Sequence, residues 1–345
     1  MGIKVRKSIS NLQTYNVGGR SDLSSDWECF DWNESEFPPT NKVFEVMKSF
    51  YRYERYPDIT AKQLKSKLSE YVSLPVDFIE VYNGSDDALK DIITVFVDKD
   101  TKVLSYQPSY TQVNTFITTN TEHYEKVNIQ DPLGEHYFDF SYCKSADVVY
   151  LVNPNNPTGK LLPVKEIETL VKTYPNTLFI VDEAYYEFAK QSCTHLVVSH
   201  KNLVVTRTFS KAFGLASVRL GYCMAHPDTL SDIRKIRNGK AVNALGQLCG
   251  IAALDDLDYL QSRIDEMNDA KKFFIDNLPN YYHAIDSDAN FVLVKTPDSK
   301  KVLDKMKENK ILIRDRSAFD NLENCVRITI GSKKQIIRVL DVMTN

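Results

Sequence analysis

Lys211 stands in the run Thr206-Arg-Thr-Phe-Ser-Lys-Ala-Phe-Gly-Leu-Ala-Ser-Val-Arg-Leu-Gly-Tyr222. The apolar stretch Asn202-Leu-Val-Val before it and Arg219-Leu-Gly-Tyr-Cys-Met-Ala after it both read as buried strands. An amine among apolar and small neighbours is disfavoured as ammonium, so its pKa falls below the usual ~10.4. Such an amine can condense with a carbonyl. A lysine snorkelling from a loop beside the sheet would leave the same trace. Asp182 ends a second apolar run, Leu178-Phe-Ile-Val, and Tyr185 follows three residues on. A carboxylate at a buried strand end needs a partner, which a helix cap or an ion pair could provide. Taken with the lysine, the aspartate and the tyrosine also suit a pyridinium cofactor. The aspartate would keep the ring nitrogen protonated and the tyrosine would bond a phenolate oxygen.

Two turns add to this set. Asn153-Pro-Asn-Asn-Pro-Thr-Gly159 follows a strand and offers the Asn156 amide from a stiffened backbone. Gly84-Ser-Asp86 opens a helix, with Ser85 or Asp86 as its cap, and the free N–H groups of such an end can cradle a phosphate. Arg219 with the Thr208 and Ser210 hydroxyls could complete that cradle. A plain turn and a plain helix cap are the alternatives.

These residues need elements to hold them. Short apolar runs end at Tyr82, Tyr106, Val152, Val181 and Val205, and helical patterns lie between most of them. Alternation of this kind predicts a mainly parallel sheet covered on both faces. Ligands bind such sheets beyond the carboxyl ends of the strands, so Asn156, Asp182 and Lys211 can converge at one edge. A helix is expected over 110–117, and a strongly helical stretch from about 228 to 278. Strands are then expected over 290–295, 310–314 and 325–330, which reads as a second, smaller α/β unit. The expected division is an arm over 1–40, a large domain over 41–235 and a small domain over 236–345. The arm is irregular, with aromatic islands at Trp27 and Phe30–Trp32 that need something to pack on.

Whole-chain composition excludes several classes. The 345 residues suffice for two domains, and 43% hydrophobic with 26% charged residues is ordinary for a globular chain. A net charge of −3 gives no electrostatic case for nucleic-acid binding. The six cysteines form no Cys-x-x-Cys pair, which suits a reduced, cytoplasmic protein, and the six histidines show no ligand spacing, so no metal is expected. No apolar run approaches the ~18 residues that span a bilayer, and the N-terminus does not read as a signal peptide.

Together these motifs resemble those of the fold-type I pyridoxal-phosphate aminotransferases, within them the histidinol-phosphate aminotransferase-like branch. The matching residues are Gly84-Ser-Asp86, Tyr110 in Gln-Pro-Ser-Tyr, the 153–159 turn, Asp182-Glu-Ala-Tyr185, Thr208-Phe-Ser-Lys211 with Arg219, and Val326-Arg-Ile-Thr-Ile-Gly331. Tyr56-Pro-Asp58, Asp31-Trp-Asn-Glu34 and Ile313-Arg-Asp-Arg-Ser317 also match that branch, so the resemblance covers nearly the whole chain.

The resemblance implies a large domain with a mainly parallel mixed sheet flanked by helices, plus a smaller C-terminal α/β domain. It implies pyridoxal 5′-phosphate held covalently by Lys211, with Asp182 at the ring nitrogen, Tyr185 and Asn156 at the ring oxygen and Tyr110 on the ring face. Ser85, Asp86, Thr208, Ser210 and Arg219 would hold the cofactor phosphate. Tyr56 would reach the other subunit's cofactor in a homodimer. Arg327, Arg314, Asn33 and Tyr15 would meet the substrate. The implied reaction exchanges L-histidinol phosphate and 2-oxoglutarate for imidazole-acetol phosphate and glutamate. Another aromatic or biosynthetic aminotransferase and a threonine-phosphate decarboxylase are alternatives on the same motif set, while a non-catalytic binding protein that keeps the fold is argued against by the intact Lys211, Asp182 and Arg219. Two segments depart from the branch. Tyr15-Asn-Val-Gly-Gly-Arg20 lacks its Pro-Gly pair, and Arg237-Asn-Gly-Lys-Ala-Val-Asn243 lacks its Pro-aromatic pair. Both lie toward the substrate in such enzymes, which leaves the substrate more open than the cofactor.

Overall fold

The computed structural model describes residues 3–10, 12, 20, 24 and 26–344. The helices in chain order are α1 (Lys7–Ser10), α2 (Asn41–Ser49), α3 (Lys62–Val72), α4 (Ser85–Phe96), α5 (Gln112–Asn120), α6 (Val164–Thr173), α7 (Tyr186–Ala189), α8 (Pro227–Arg234), α9 (Ala244–Leu254), α10 (Leu257–Asp276), α11 (Ser299–Glu308) and α12 (Lys333–Thr344). The strands are β1 (Glu28–Cys29), β2 (Ile79–Tyr82), β3 (Val103–Gln107), β4 (Tyr124–Asn128), β5 (Val148–Val152), β6 (Leu178–Asp182), β7 (Leu203–Thr208), β8 (Gly221–Ala225), β9 (His283–Ala284), β10 (Phe291–Lys295), β11 (Ile311–Leu312), β12 (Arg314–Asp315) and β13 (Cys325–Thr329).

The main sheet has seven strands in the order β2-β8-β7-β6-β5-β3-β4. Only β8 runs against its neighbours, β2 and β7; the other pairs are parallel. The fold is therefore α/β with a mainly parallel mixed sheet. Strand side chains alternate between two cores. Val149, Leu151, Phe179 and Val181 face one that α2, α3, α6 and α9 close. Val148, Tyr150, Leu178 and Ile180 face the other, closed by α4, α5 and α8. Each such strand is buried along its full length, and a fully buried Val, Leu or Ile side chain contributes roughly 1.5–3 kcal/mol. That burial fixes the register, and with it the height of every residue at the strand ends.

A second, antiparallel sheet has the order β12-β13-β10-β9. On one side it packs on Met267, Ala270 and Phe274 of α10 and on α11 and α12. The arm adds to this unit. β1 pairs in parallel with β11, and Phe30 is fully buried in the same core. The aromatic island at Phe30 thus packs on the body of its own chain.

Three expectations shift. The helix expected over 110–117 begins at Gln112, which leaves Tyr110 in the loop beyond β3. The helical stretch is broken at 235–243. Residues taken as the start of the small domain share the core of the large one: Val242, Cys249, Ala252, Ala253, Leu254, Leu260 and Ile264 all join it. The change of core falls inside α10, well beyond residue 236, because helical spacing shows that a stripe is buried but not against which partner. Strand β4 was not foreseen either. It is an edge strand whose residues are half-buried or exposed, so its apolar signal is thin. No helix among the described residues is long and apolar enough to cross a membrane.

Candidate functional site

Five strand ends meet at one edge of the main sheet. β2 leads into Gly84 and α4, β3 into Tyr110, β5 into Asn153–Gly159, β6 ends on Asp182, and β7 leads into Ser210 and Lys211. The antiparallel β8 begins at the same edge, which brings Arg219 there. A cavity of about 560 Å³ opens over this edge. Ser85, Asp86, Tyr110, Asn156, Asp182, Tyr185, Thr208, Ser210, Lys211 and Arg219 line its floor, and Asn33, Arg314 and Arg327 line it from the arm and the small sheet. The geometry therefore gathers these thirteen sequence-selected residues. Tyr56 is not among the lining residues; it is 78% exposed, with the Lys240 ammonium 4.6 Å from its ring centroid. Tyr15 lies outside the described residues.

The floor holds a close-packed cradle at the start of α4. Gly84 has φ +87°, and an added Cβ would lie 2.5 Å from a guanidinium nitrogen of Arg219. A Cβ on Gly221 would lie 2.4 Å from the backbone nitrogen of Ser85. The cap position is thus Gly84 rather than Ser85 or Asp86, because only glycine combines that φ with so near a guanidinium. Helix α4 then presents its first N–H groups to the cavity, and Arg219 Nη1 donates to Ser210 Oγ at 3.3 Å. Ser210 in turn accepts from Thr208 Oγ1 at 3.0 Å. Backbone donors, hydroxyls and a guanidinium around a helix N-terminus suit a phosphate.

Asp182 is 3% exposed. Tyr150 donates to its Oδ2 at 3.0 Å and Thr206 to its Oδ1 at 3.2 Å. Burial pushes the carboxyl up to about 6, and those two hydroxyls oppose the rise. Lys211 Nζ donates to the Trp32 carbonyl at 2.9 Å. Burial, then the nearby Arg327 charge, brings its amine down to about 8. Tyr185 Oη accepts from Asn33 Nδ2 at 2.9 Å and from Asn156 Nδ2 at 3.4 Å. Burial raises this phenol above its ordinary value, while Arg327 and the Asn33 bond pull it down. A lowered amine, a buried carboxylate and a phenol on one wall can bind a carbonyl compound covalently and hold a basic ring nitrogen protonated.

Arg327, on β13, is 3% exposed and donates to Asn156 Oδ1 and to the Asp31 carbonyl, each at 2.6 Å. Arg314 pairs across the small sheet with Arg327, and Arg316 lines the same chamber. Sequence reasoning missed Tyr150, Thr206, Arg316 and the Asp31 and Trp32 carbonyls. Tyr150 had one usable signal: it is a phenol inside the apolar run Val148–Val152, and a buried phenol usually finds a partner.

Comparison with known proteins points to one family. The family model described as aminotransferase class I and II matches residues 23–343. A dihydroxyacetone phosphate transaminase of Campylobacter jejuni is 37% identical over 325 residues, covering 90% of this chain and 88% of that protein. A histidinol-phosphate aminotransferase of Geotalea daltonii is 30% identical over 343 residues, covering 98% of each. Among solved structures, the histidinol-phosphate aminotransferase of Sinorhizobium meliloti in complex with pyridoxal-5′-phosphate superposes with a TM-score of 0.84 at 24% identity, covering 92% of this chain and 89% of that one.

Proposed function

This chain belongs to the class I and II aminotransferases, and from that premise we propose that it moves an amino group between a donor and a small ketone that carries a phosphate ester. It is a pyridoxal-phosphate-dependent transaminase. The residues fit that cofactor: the cradle of Gly84, Gly221 and Arg219 has no room for a Cβ and suits a phosphate, and Asp182 is a buried carboxylate of the kind a ring nitrogen needs. The observation that carries the substrate class is the roof of the cavity. Arg314, Arg316 and Arg327 line the same chamber as Lys211, apart from the cradle at Ser85 and Arg219. A second cationic wall favours a substrate with its own anionic group.

When bound, the cofactor supplies a protonated ring that withdraws electrons from the bond to be broken. The protein's residues do the rest. Lys211 Nζ would hold the cofactor, and its lowered pKa suits it to carry a proton to and from the substrate carbon that bears nitrogen. The Asp182 carboxylate would keep the ring nitrogen protonated. Tyr185 Oη accepts two amide N–H bonds, so its own hydrogen could be donated to the ring oxygen, which Asn156 would also serve. Tyr110 would pack on the ring. Ser85, Asp86, Thr208, Ser210 and Arg219 would hold the phosphate. Arg327 and Arg314 would orient the substrate, with Asn33 lining the same chamber, and Tyr15, outside the described residues, is proposed as a further substrate contact. We further infer a homodimer in which Tyr56 enters the partner's site, and a cytoplasmic location that fits six free cysteines, five of them buried.

Histidinol phosphate and imidazole-acetol phosphate are one pair that fits this class. Dihydroxyacetone phosphate is the other, favoured by the 37% identical relative. The two ketones share a phosphate ester beside the carbonyl and differ in the third substituent. Single-turnover spectra of the loaded enzyme would separate them. L-Histidinol phosphate, serinol phosphate (the amine counterpart of dihydroxyacetone phosphate), glutamate, threonine phosphate and aromatic amino acids would be mixed with it in turn. Rapid conversion by one of the first two assigns the substrate. Conversion by non-phosphorylated amines alone would overturn the phosphate-ester reading, and release of carbon dioxide from threonine phosphate would change the reaction type.

A further inference from the structure

We propose that Tyr150 is a positioning residue for the reaction: its phenol grips Asp182 Oδ2 and so keeps the shared proton on the cofactor's ring nitrogen rather than on the carboxylate. This rests on the reading that Asp182 serves that nitrogen.

The geometry follows from the sheet. Val152 is the Cα partner of Asp182 across β5 and β6, and Asp182 is the partner of Thr206 across β6 and β7. Tyr150, two residues before Val152, shares the face of Asp182 and Thr206 because side chains repeat every second residue. Its ring is therefore directed along the strand toward the carboxylate, and its hydroxyl donates at 3.0 Å. Tyr150 is 1% exposed and packed in the core that α4 and α5 close. It has no room to swing away, and a buried phenol without a partner is costly.

Three donors converge on Asp182: the Tyr150 and Thr206 hydroxyls and the backbone N–H of Ala184. Thr206 and Ala184 come from the adjoining strand and from the chain just beyond Asp182 itself. Tyr150 alone comes from β5, so it limits rotation of the carboxylate from the far side. Hydrogen bonds to a carboxylate favour its charged form, whereas burial favours the neutral one. A carboxylate facing a pyridine nitrogen can hold the proton on oxygen or leave it on nitrogen. Donors to the far side of the carboxylate tip that balance toward nitrogen, which is the state that withdraws electrons.

The test uses the holoenzyme loaded with pyridoxal phosphate labelled with ¹⁵N in the ring. The nitrogen chemical shift reports where the proton lies, independently of turnover. Asp182→Asn sets the unprotonated reference. In Tyr150→Phe, which removes one oxygen and keeps the ring, the shift is expected to move from the wild-type position toward that reference. The melting temperature of the protein should change little. Turnover should drop about tenfold, the effect of one hydrogen bond to a charged group. With 3-fluorotyrosine at position 150, a more acidic donor in the same shape, the shift should move the other way. This second variant decides the matter if Tyr150→Phe folds poorly. A ring nitrogen still protonated in Asp182→Asn would overturn the Asp182 reading itself. A shift that moves in Asp182→Asn but in neither variant at position 150 would overturn only the role of Tyr150.

Discussion

Lys211 shows how far one residue's environment sets its chemistry. Its amine is lowered to about 8 by burial and by Arg327, against 10.5 for a free side chain. The folded chain therefore binds fewer protons than the unfolded chain between those two values, so this lysine adds stability as pH rises through that window and loses it as pH falls through the folded value. The same shift makes it reactive early. Amine labelling of the cofactor-free protein at graded pH should modify Lys211 with a midpoint near 8, against ~10.4 for the lysine of an unstructured reference peptide. Peptide mass spectrometry would read both, and coincident curves would refute the argument. Lys211, Asp182 and Asn156 were legible because each follows an apolar strand, where a polar side chain needs a reason. The Trp32 and Asp31 carbonyls, which hold Lys211 and Arg327, were not, because every residue has a carbonyl and only the folded path selects these two.

Strands and helices set the spacing of the site, and the tightest spacing lies between β8 and the start of α4. Gly221→Ala would bring a methyl group to 2.4 Å from the Ser85 nitrogen and 2.5 Å from the Gly84 carbonyl carbon, both backbone atoms that cannot turn aside. The expected result is a loss of cofactor affinity of at least about tenfold and a lower melting temperature, as for overpacking elsewhere at ~1–3 kcal/mol. Equilibrium titration with pyridoxal phosphate, followed by absorbance, measures the first. Unaltered affinity would mean that β8 does not brace the cradle. The strands of this region were readable from runs such as Leu178–Val181, and helix α6 has the expected ends, Val164 and Thr173. The edge strand β4 and the two-residue strands β1 and β9 were not foreseen, and the strand expected over 310–314 is divided into β11 and β12, which join different sheets. They are held by pairing with neighbours rather than by an apolar pattern of their own.

At the scale of the molecule, the stretch of chain that carries Tyr56 exposes further apolar side chains. Phe44, Met47, Tyr51, Tyr53 and Ile59 are each more than 40% exposed. So many large apolar side chains exposed in one stretch of chain favour a contact with another protein, and here a second copy is the partner we expect. Sedimentation velocity should give a dimer for the native chain and a monomer for the Met47→Glu, Tyr53→Glu double variant, with weaker cofactor retention in the monomer. A native chain that sediments as a monomer would sink both the dimer and the trans role of Tyr56. The second sheet was legible from the second series of strands, but the change of core was not, since Leu260 and Ile264 serve one core and Met267, Ala270 and Phe274 the other. Helix α10 has 20 residues, a rod of ~30 Å, and it is anchored at its two ends in different halves of the protein. It is thus an axle rather than a linker. Neither half can be cut out as a self-sufficient piece, because either cut strips an apolar stripe from the rod. Any shift of one half against the other would have to be borne by this rod, across the single turn between Ile264 and Met267 where one core gives way to the next.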